Sequence, residues 1–283
     1  MKVILVSVGN FQEYILDNIK NLLLFNNNDI VVITNKEFFC NFTDYSVTLV
    51  DCNELPDYSF NSNSRLDKGF RNGFWHYCSL RLFYVYSYIK LHNLTKCIHL
   101  ENDVLTYINF DSIEKNFKKN KVYATFDCNT RVIPGILYIP NYESFMPIIN
   151  NYNFNLNDME NLAQCNETII APLPIFPIVN GNVAKFNKLF FDFNIIFDAA
   201  AIGQYLGGID PRNQAGDTRG FVNETCGIKY NKYKFEWIKT NDLFIPYLVI
   251  DSNKYQICNL HIHSKNLKNF MANNPIENYL ITK

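Results

Sequence analysis

The sequence predicts an α/β domain that opens on a parallel sheet. Three observations predict it. Short β-branched runs alternate with a stretch of helical periodicity, hydrophobic residues make up 48% of the 283 residues, and no repeat or flexible linker divides the chain. That composition is ample for one large domain or two intimate halves. Lys2 to Val8 reads as the first strand and stops at Gly9-Asn10. Phe11, Ile15, Ile19, Leu22 and Leu23 then recur at helical spacing. A second strand follows at Ile30 to Thr34 and a third near Ser46 to Val50, short and apolar enough to be covered on both faces. Residues 52–65 are polar and loop-like. A long aromatic helix is expected from about Asn72 to Leu91, and a fourth strand at Cys97 to Leu100. Further on, Val122 to Phe126, Ile136 to Ile139, Tyr247 to Ile250 and Tyr255 to His263 read as strands. The proline-rich APLPIFPIVNG is expected to be extended, and NKLFFDFNIIFDAAAIGQYLGG to be helical in part, stopping at Gly207-Gly208.

Composition narrows the function classes. Lys+Arg total 26 and Asp+Glu 27, so no basic excess points to nucleic acid or an anionic membrane. No stretch reaches the ~20 apolar residues of a membrane-spanning helix. The apolar run of MKVILVSVGN is too short for a signal peptide and is followed by no small-residue cleavage site. The eight cysteines include no C-x-x-C pair and read as reduced core thiols. A cytoplasmic protein is the resulting expectation. The abundance of asparagine reads as base composition of the gene and carries no functional weight.

Chemistry is expected where the fourth strand stops. Ile98-His99-Leu100 ends abruptly at Glu101-Asn102-Asp103, and ligands of open α/β sheets bind beyond the carboxyl ends of strands. Two carboxylates at i and i+2 can hold a hard divalent cation together with phosphate oxygens, or simply mark an acidic turn. Near the C-terminus, His261 and His263 alternate and share a face if the segment is a strand, and Lys265 is a point charge suited to phosphate. Cys258 with these histidines suggests zinc only weakly, because no fourth ligand stands at a recognisable spacing. Arg81 lies within the apolar helix and needs a partner if buried, for which the acidic turn is the natural choice. Otherwise it snorkels at the helix edge.

In this order, these residues resemble the nucleotide-sugar glycosyltransferases of the GT-A fold. HLENDVLTY resembles their D-x-D motif, with Glu in the first acidic position. FWHYCSLRLF resembles the helix before that motif, and HIHSK the late metal-binding His and diphosphate-contacting Lys. The resemblance implies a Rossmann-like mixed sheet flanked by helices, forming a single domain over residues 1–283. Residues 1–110 would be the nucleotide-sugar half and 111–283 the acceptor half. It implies Mn²⁺ or Mg²⁺ on Glu101, Asp103, His261 and His263. It implies a nucleoside-diphosphate sugar, UDP-linked by prior, contacted by Gly9, Asn10, Thr34, Asn35, Arg71, Arg81 and Lys265. The acceptor would be a hydroxyl of a glycan or glycoconjugate. An inverting reaction also needs a carboxylate base. Asp198 is the first candidate, with the N-cap of the following helix as its alternative role. Asp217 and Glu224 are its rivals, and the glycine-rich loop from Gly208 to Gly220 is a candidate lid. A sugar-nucleotide pyrophosphorylase would need a basic, Gly-rich loop after the first strand, which SVGNFQEYILDN does not supply. A non-catalytic nucleotide-sugar or glycan-binding module is the remaining alternative.

Overall fold

The computed structural model describes residues 1–165, 167–178, 181–214 and 216–273. The elements run β1 (Lys2–Ser7), α1 (Ile15–Leu24), β2 (Ile30–Thr34), β3 (Thr48–Asp51), α2 (Phe60–Asn63), α3 (Phe74–Leu91), β4 (Cys97–Leu100) and β5 (Val104–Thr106). They continue with β6 (Val122–Cys128), β7 (Arg131–Ile139), α4 (Tyr142–Asn150), α5 (Asp158–Ala163), β8 (Ile170–Leu173), α6 (Phe190–Phe193) and α7 (Ile202–Gly207). The chain then forms β9 (Lys234–Thr240), β10 (Leu243–Ile250), β11 (Asn253–Gln256) and β12 (Asn259–His261).

The expected sheet is present and it is mixed. Its seven strands run in the order β3-β2-β1-β4-β7-β6-β8. β1 pairs parallel with β2 and β4, and β2 parallel with β3, whereas β7 is antiparallel to both β4 and β6. Alternation along β1 shows why its run is apolar throughout. Val3 and Leu5 join the core under α1, and Ile4 and Val6 the core under α3. Helices therefore cover both faces. α3 is buried almost all round, from Ser79 to Ile89, as a helix without a polar face must be.

α1 is more specialised. Ile15, Ile19 and Leu22 are fully buried, and so are the two asparagines between them, Asn18 and Asn21. Their amides reach across to the carbonyls of Glu101, Asn102 and Thr106. The asparagines are thus spent on the backbone just beyond β4.

The second half departs from the expected strands. β9, β10 and β11 form a separate antiparallel sheet, of which the segment around Tyr247 to Ile250 and the end of β11 at Tyr255 were legible as strand. The expected strand from Tyr255 to His263 divides. Its first residues complete that sheet, and Asn259–His261 pairs antiparallel with β5, His261 opposite Val104. APLPIFPIVNG is a strand only through Leu173, and Val179-Asn180 lie outside the described residues. Among the described residues no helix is long and apolar enough to cross a membrane.

α7 packs directly on β12. A Cβ placed on Gly203 would meet the His261 carbonyl oxygen at 2.1 Å. Gly203→Ala is expected to cost about 3 kcal/mol of stability, the upper end of overpacking, since the obstacle is backbone and cannot rotate away. A urea denaturation curve displaced to a lower midpoint is the measurement.

Candidate functional site

The centre of the site is the turn after β4. Asn102 donates to the Val6 carbonyl and to Gln12, and the Asp103 carbonyl accepts from Ile262 N–H. With the α1 asparagines beneath it, this turn has a fixed backbone, and both carboxylates point to the same side. Glu101 Oε2 lies 2.9 Å from His261 Nε2, and Asp103 Oδ1 lies 3.2 Å from the same nitrogen. β12 brings His261 there by pairing with β5. Lys265 sits on the other oxygen of Asp103 and over the Tyr14 ring, 5.4 Å from its centroid. Its backbone is left-handed, φ 65°, in a turn closed on the Ile262 carbonyl.

Arg81 reaches the turn from α3. It bonds the other oxygen of Glu101 and, at 2.7 Å, Asp158 at the start of α5. Three carboxylates, Glu101, Asp103 and Asp158, thus face three basic groups, Arg81, Lys265 and His261. Burial disfavours every charge here, and the pairings oppose it. Arg81 is held firmly protonated by Glu101 and Asp158 despite its burial. Glu101 is driven well below the usual carboxylate range by Arg81 and His261, and Asp103 by Lys265 and His261. Against its own burial, His261 is raised to about 10 by Asp103 and Glu101. For Asp158 burial prevails over Arg81, and its carboxyl is raised.

One ligand atom from each of Glu101, Asp103 and His261 lies within 4.8 Å of the others, the one such group among the described residues. Two carboxylate oxygens and an imidazole nitrogen converging on one point fit a divalent cation. His263 is not a member of this group. Its ring packs on that of His261 with centroids 4.3 Å apart, and its Nδ1 lies 3.0 Å from Gln204 Nε2.

The remaining expected residues divide. Gly9 and Asn35 stand together, the Asn35 side chain accepting from Gly9 N–H at 2.9 Å. Both line a cleft of about 310 Å³ with Val8, Asn53, Lys68 and Tyr77. Gly9 has φ +81°, and a Cβ there would strike Tyr77. Asn10 is exposed beside it. Thr34 is fully buried and spends its hydroxyl on the Ser7 carbonyl. It does not line the cleft. Arg71 does not reach the carboxylates. Its guanidinium bonds Asn213 and the Arg212 carbonyl, and so ties the start of α3 to the glycine-rich loop. Ala215 of that loop lies outside the described residues.

Asp198 is fully buried and accepts four backbone hydrogen bonds, from Ala201, Ile202 and Gly203 at 2.8 Å and from His261 at 2.9 Å. Every lone pair in reach is taken, so it caps α7 and anchors β12, and no acceptor hydroxyl can approach it. Asp217 is exposed and paired with Arg219, and Glu224 is exposed. Sequence reading overlooked Asp158, Gln204 and the α1 asparagines. Asn18 and Asn21 did leave a signal, standing on the apolar face of a helix where a polar residue needs a reason.

No family model matches the chain, and no curated protein matches it. Among solved structures it is similar to the galactosyltransferase LgtC, solved with donor and acceptor sugar analogues, at 12% identity. That match covers 58% of this chain and 69% of that one at a TM-score of 0.38. It is similar to the glycosyltransferase GlyE of Streptococcus pneumoniae at 14% identity, over 57% of this chain, with a TM-score of 0.38. This chain spans 42% of GlyE, less than half its length. Mouse xyloside xylosyltransferase 1 matches at 9% identity over 59% of this chain and 80% of its own, with a TM-score of 0.38. Nucleotidyltransferases also match, with TM-scores of 0.30 and 0.32.

Two outcomes are expected from these contacts. A group whose folded pKa is raised contributes stability below its unfolded pKa and loses it as pH climbs through the folded one. The metal-free protein should therefore become less stable between pH 6.5 and 10, as the His261 proton is lost. Its carboxylate partners are lowered and add a second loss on acidification below about pH 4. Urea midpoints across pH should show both limbs, with the alkaline one diminished in His261→Gln. Asp198→Asn keeps the shape but turns an amide against backbone donors. It should lose roughly 2–4 kcal/mol of stability, read by the same titration.

Proposed function

We propose that this chain is a metal-dependent glycosyltransferase of the GT-A type, moving a sugar from a nucleoside diphosphate to a hydroxyl of a glycan or glycoconjugate. One observation carries the reading. Glu101, Asp103 and His261 converge on one point at the carboxyl end of β4, with Lys265 on the flank of Asp103. Buried ion pairs gain little stability over apolar packing of the same volume. A cluster this polar at a ligand-binding edge of the sheet is explained by a task.

In this reading the cleft beside Gly9 and Asn35 takes the nucleoside, UDP being the favoured donor nucleotide. The diphosphate lies between that cleft and the carboxylates. Glu101, Asp103 and His261 would hold Mn²⁺ or Mg²⁺, which when bound would supply Lewis-acid neutralisation of the leaving diphosphate. Lys265 exchanges its carboxylate partner for a phosphate oxygen and places positive charge where negative charge grows. Arg81 keeps Glu101 ionised and orients it, and Asp158 holds Arg81 from behind. To serve as a ligand, His261 would have to be in its neutral form. Arg71 acts through the loop it tethers, drawing Asp210 to Asn213 toward the start of α3.

The melting temperature is the test, taken with UDP, GDP, CDP and dTDP, each with and without Mn²⁺. One nucleotide should raise it only when the metal is present, by the equivalent of about 2.7 kcal/mol at 100 times its dissociation constant. Asp103→Asn should abolish that shift. If no nucleotide moves the wild-type transition, the proposal fails and the acidic turn is an ion-pair network alone.

A further inference from the structure

We infer that the cleft between α1 and residues 265–269 is where the acceptor binds, a neutral, hydroxyl-rich glycan whose hydroxyls are taken by Asp17. The inference rests on the glycosyltransferase reading and adds to it the site of the second substrate.

The cleft holds about 380 Å³, a volume within the range of small-molecule sites. Asp17 lines it from the first turn of α1 and is 8% exposed. An acidic residue in that turn commonly caps the helix, but no side-chain cap bond is made here. Among the described residues its one ion pair is with Lys20 at 4.0 Å, too long for a hydrogen bond. Burial raises its carboxyl, opposed by Lys268 and Lys20. A carboxylate so far out of water without a hydrogen bond costs stability, and this one borders a cavity. The side chains of Asn266, Lys268 and Asn269 line the facing wall, and among the described residues they too have no hydrogen-bond partner.

Chemistry and charge select the ligand. Asp17 accepts, the lysines donate, and the two amides do both. A ring bearing several hydroxyls gives and takes hydrogen bonds in the same way. Lys265 also lines the cleft, but its ammonium is spent on Asp103. Lys20 and Lys268 then stand against Glu13 and Asp17, a balance that favours a neutral ligand over an anion.

Position makes that ligand the acceptor. Tyr14 and Lys265 belong both to this cleft and to the carboxylate centre. Lys265 bonds Asp103, and the charges of Asp103 and Glu101 act on the buried Tyr14 phenol. The nucleoside cleft beside Gly9 and Asn35 has no lining residue in common with this one. A transferase needs two ligands at one centre, and a second cleft that borders it separately gives the other its place.

Binding measurements test this. Wild type, Asp17→Asn and Asn269→Ala are probed on an array of neutral and anionic glycans, with Mn²⁺ and each of UDP, GDP, CDP and dTDP. The same proteins are melted with those nucleotides and Mn²⁺. Wild type should retain neutral glycans. Asp17→Asn should lose them by about tenfold or more, one hydrogen bond to a charged group, while its nucleotide shift stays that of wild type. Should Asp17→Asn fail to fold, Asn269→Ala is read in the same way. Glycan binding unchanged in both variants overturns the inference, and so does a wild type that retains no glycan. Retention of anionic glycans alone would assign the cleft to its lysines and overturn it as well. An equal loss of glycan and nucleotide would mark a purely structural carboxylate. If no nucleotide shifts the wild type, the glycosyltransferase reading falls, and the acceptor assignment with it, even where glycans stay bound.

Discussion

Three carboxylates gathered around Arg81 and His261, Asp103 and Asp158 buried and Glu101 half-buried, are the constraint that the rest of this structure answers. Unpaired, Glu101, Asp103 and Asp158 would protonate or push the site apart, because charge in a low-dielectric interior is costly. The fold brings one basic group to each need. Arg81 spans Glu101 and Asp158, Lys265 takes Asp103, and His261 stands between Glu101 and Asp103. The elements that deliver them account for much of the architecture. α3 must be long and buried to carry an arginine inward, α5 must begin at Asp158, and β12 must return across the molecule to β5.

Backbone hydrogen bonds keep that arrangement from relaxing. Asn18, Asn21 and Asn102 hold the turn from the α1 side, and Asp198 holds β12 and α7 from the other. The asparagine amides donate to main-chain carbonyls and the Asp198 carboxylate accepts from main-chain N–H groups, partners that cannot rotate away. The site is accordingly preorganised, with its carboxylate oxygens and imidazole nitrogen already converging on one point.

The sheet was legible wherever a run of β-branched residues was buried on both faces, as in β1, β2 and β4. The meander of β9 to β11 was mostly not. It is half exposed, and Pro246 interrupts the apolar run of β10. In the site, the acidic turn, Arg81, His261 and Lys265 were legible because each is a polar residue set against an apolar run. Asp158 was not, since in sequence it is an ordinary acidic residue in the first turn of a short helix. Asn18 and Asn21 were lost in an asparagine-rich composition. Gln204 carries meaning only through a histidine 59 residues away, which no local pattern conveys. The position of Asp198 before a helix did indicate its capping role, but not that it also fastens a strand.

The partnership of Asp103 with Lys265 spans 162 residues. Contacts of that range form late, because the entropy of closing so large a loop is met before the contact gives anything back. The parallel strands and α3 can assemble from the first hundred residues, but the acidic turn then stands with Arg81 as its only cation. On a ribosome, therefore, Asp103 stands without its lysine until residue 265 has been made. The segment that brings β12 and Lys265 also buries Leu260, Ile262, Leu267 and Phe270, so the site is complete only once that segment has docked.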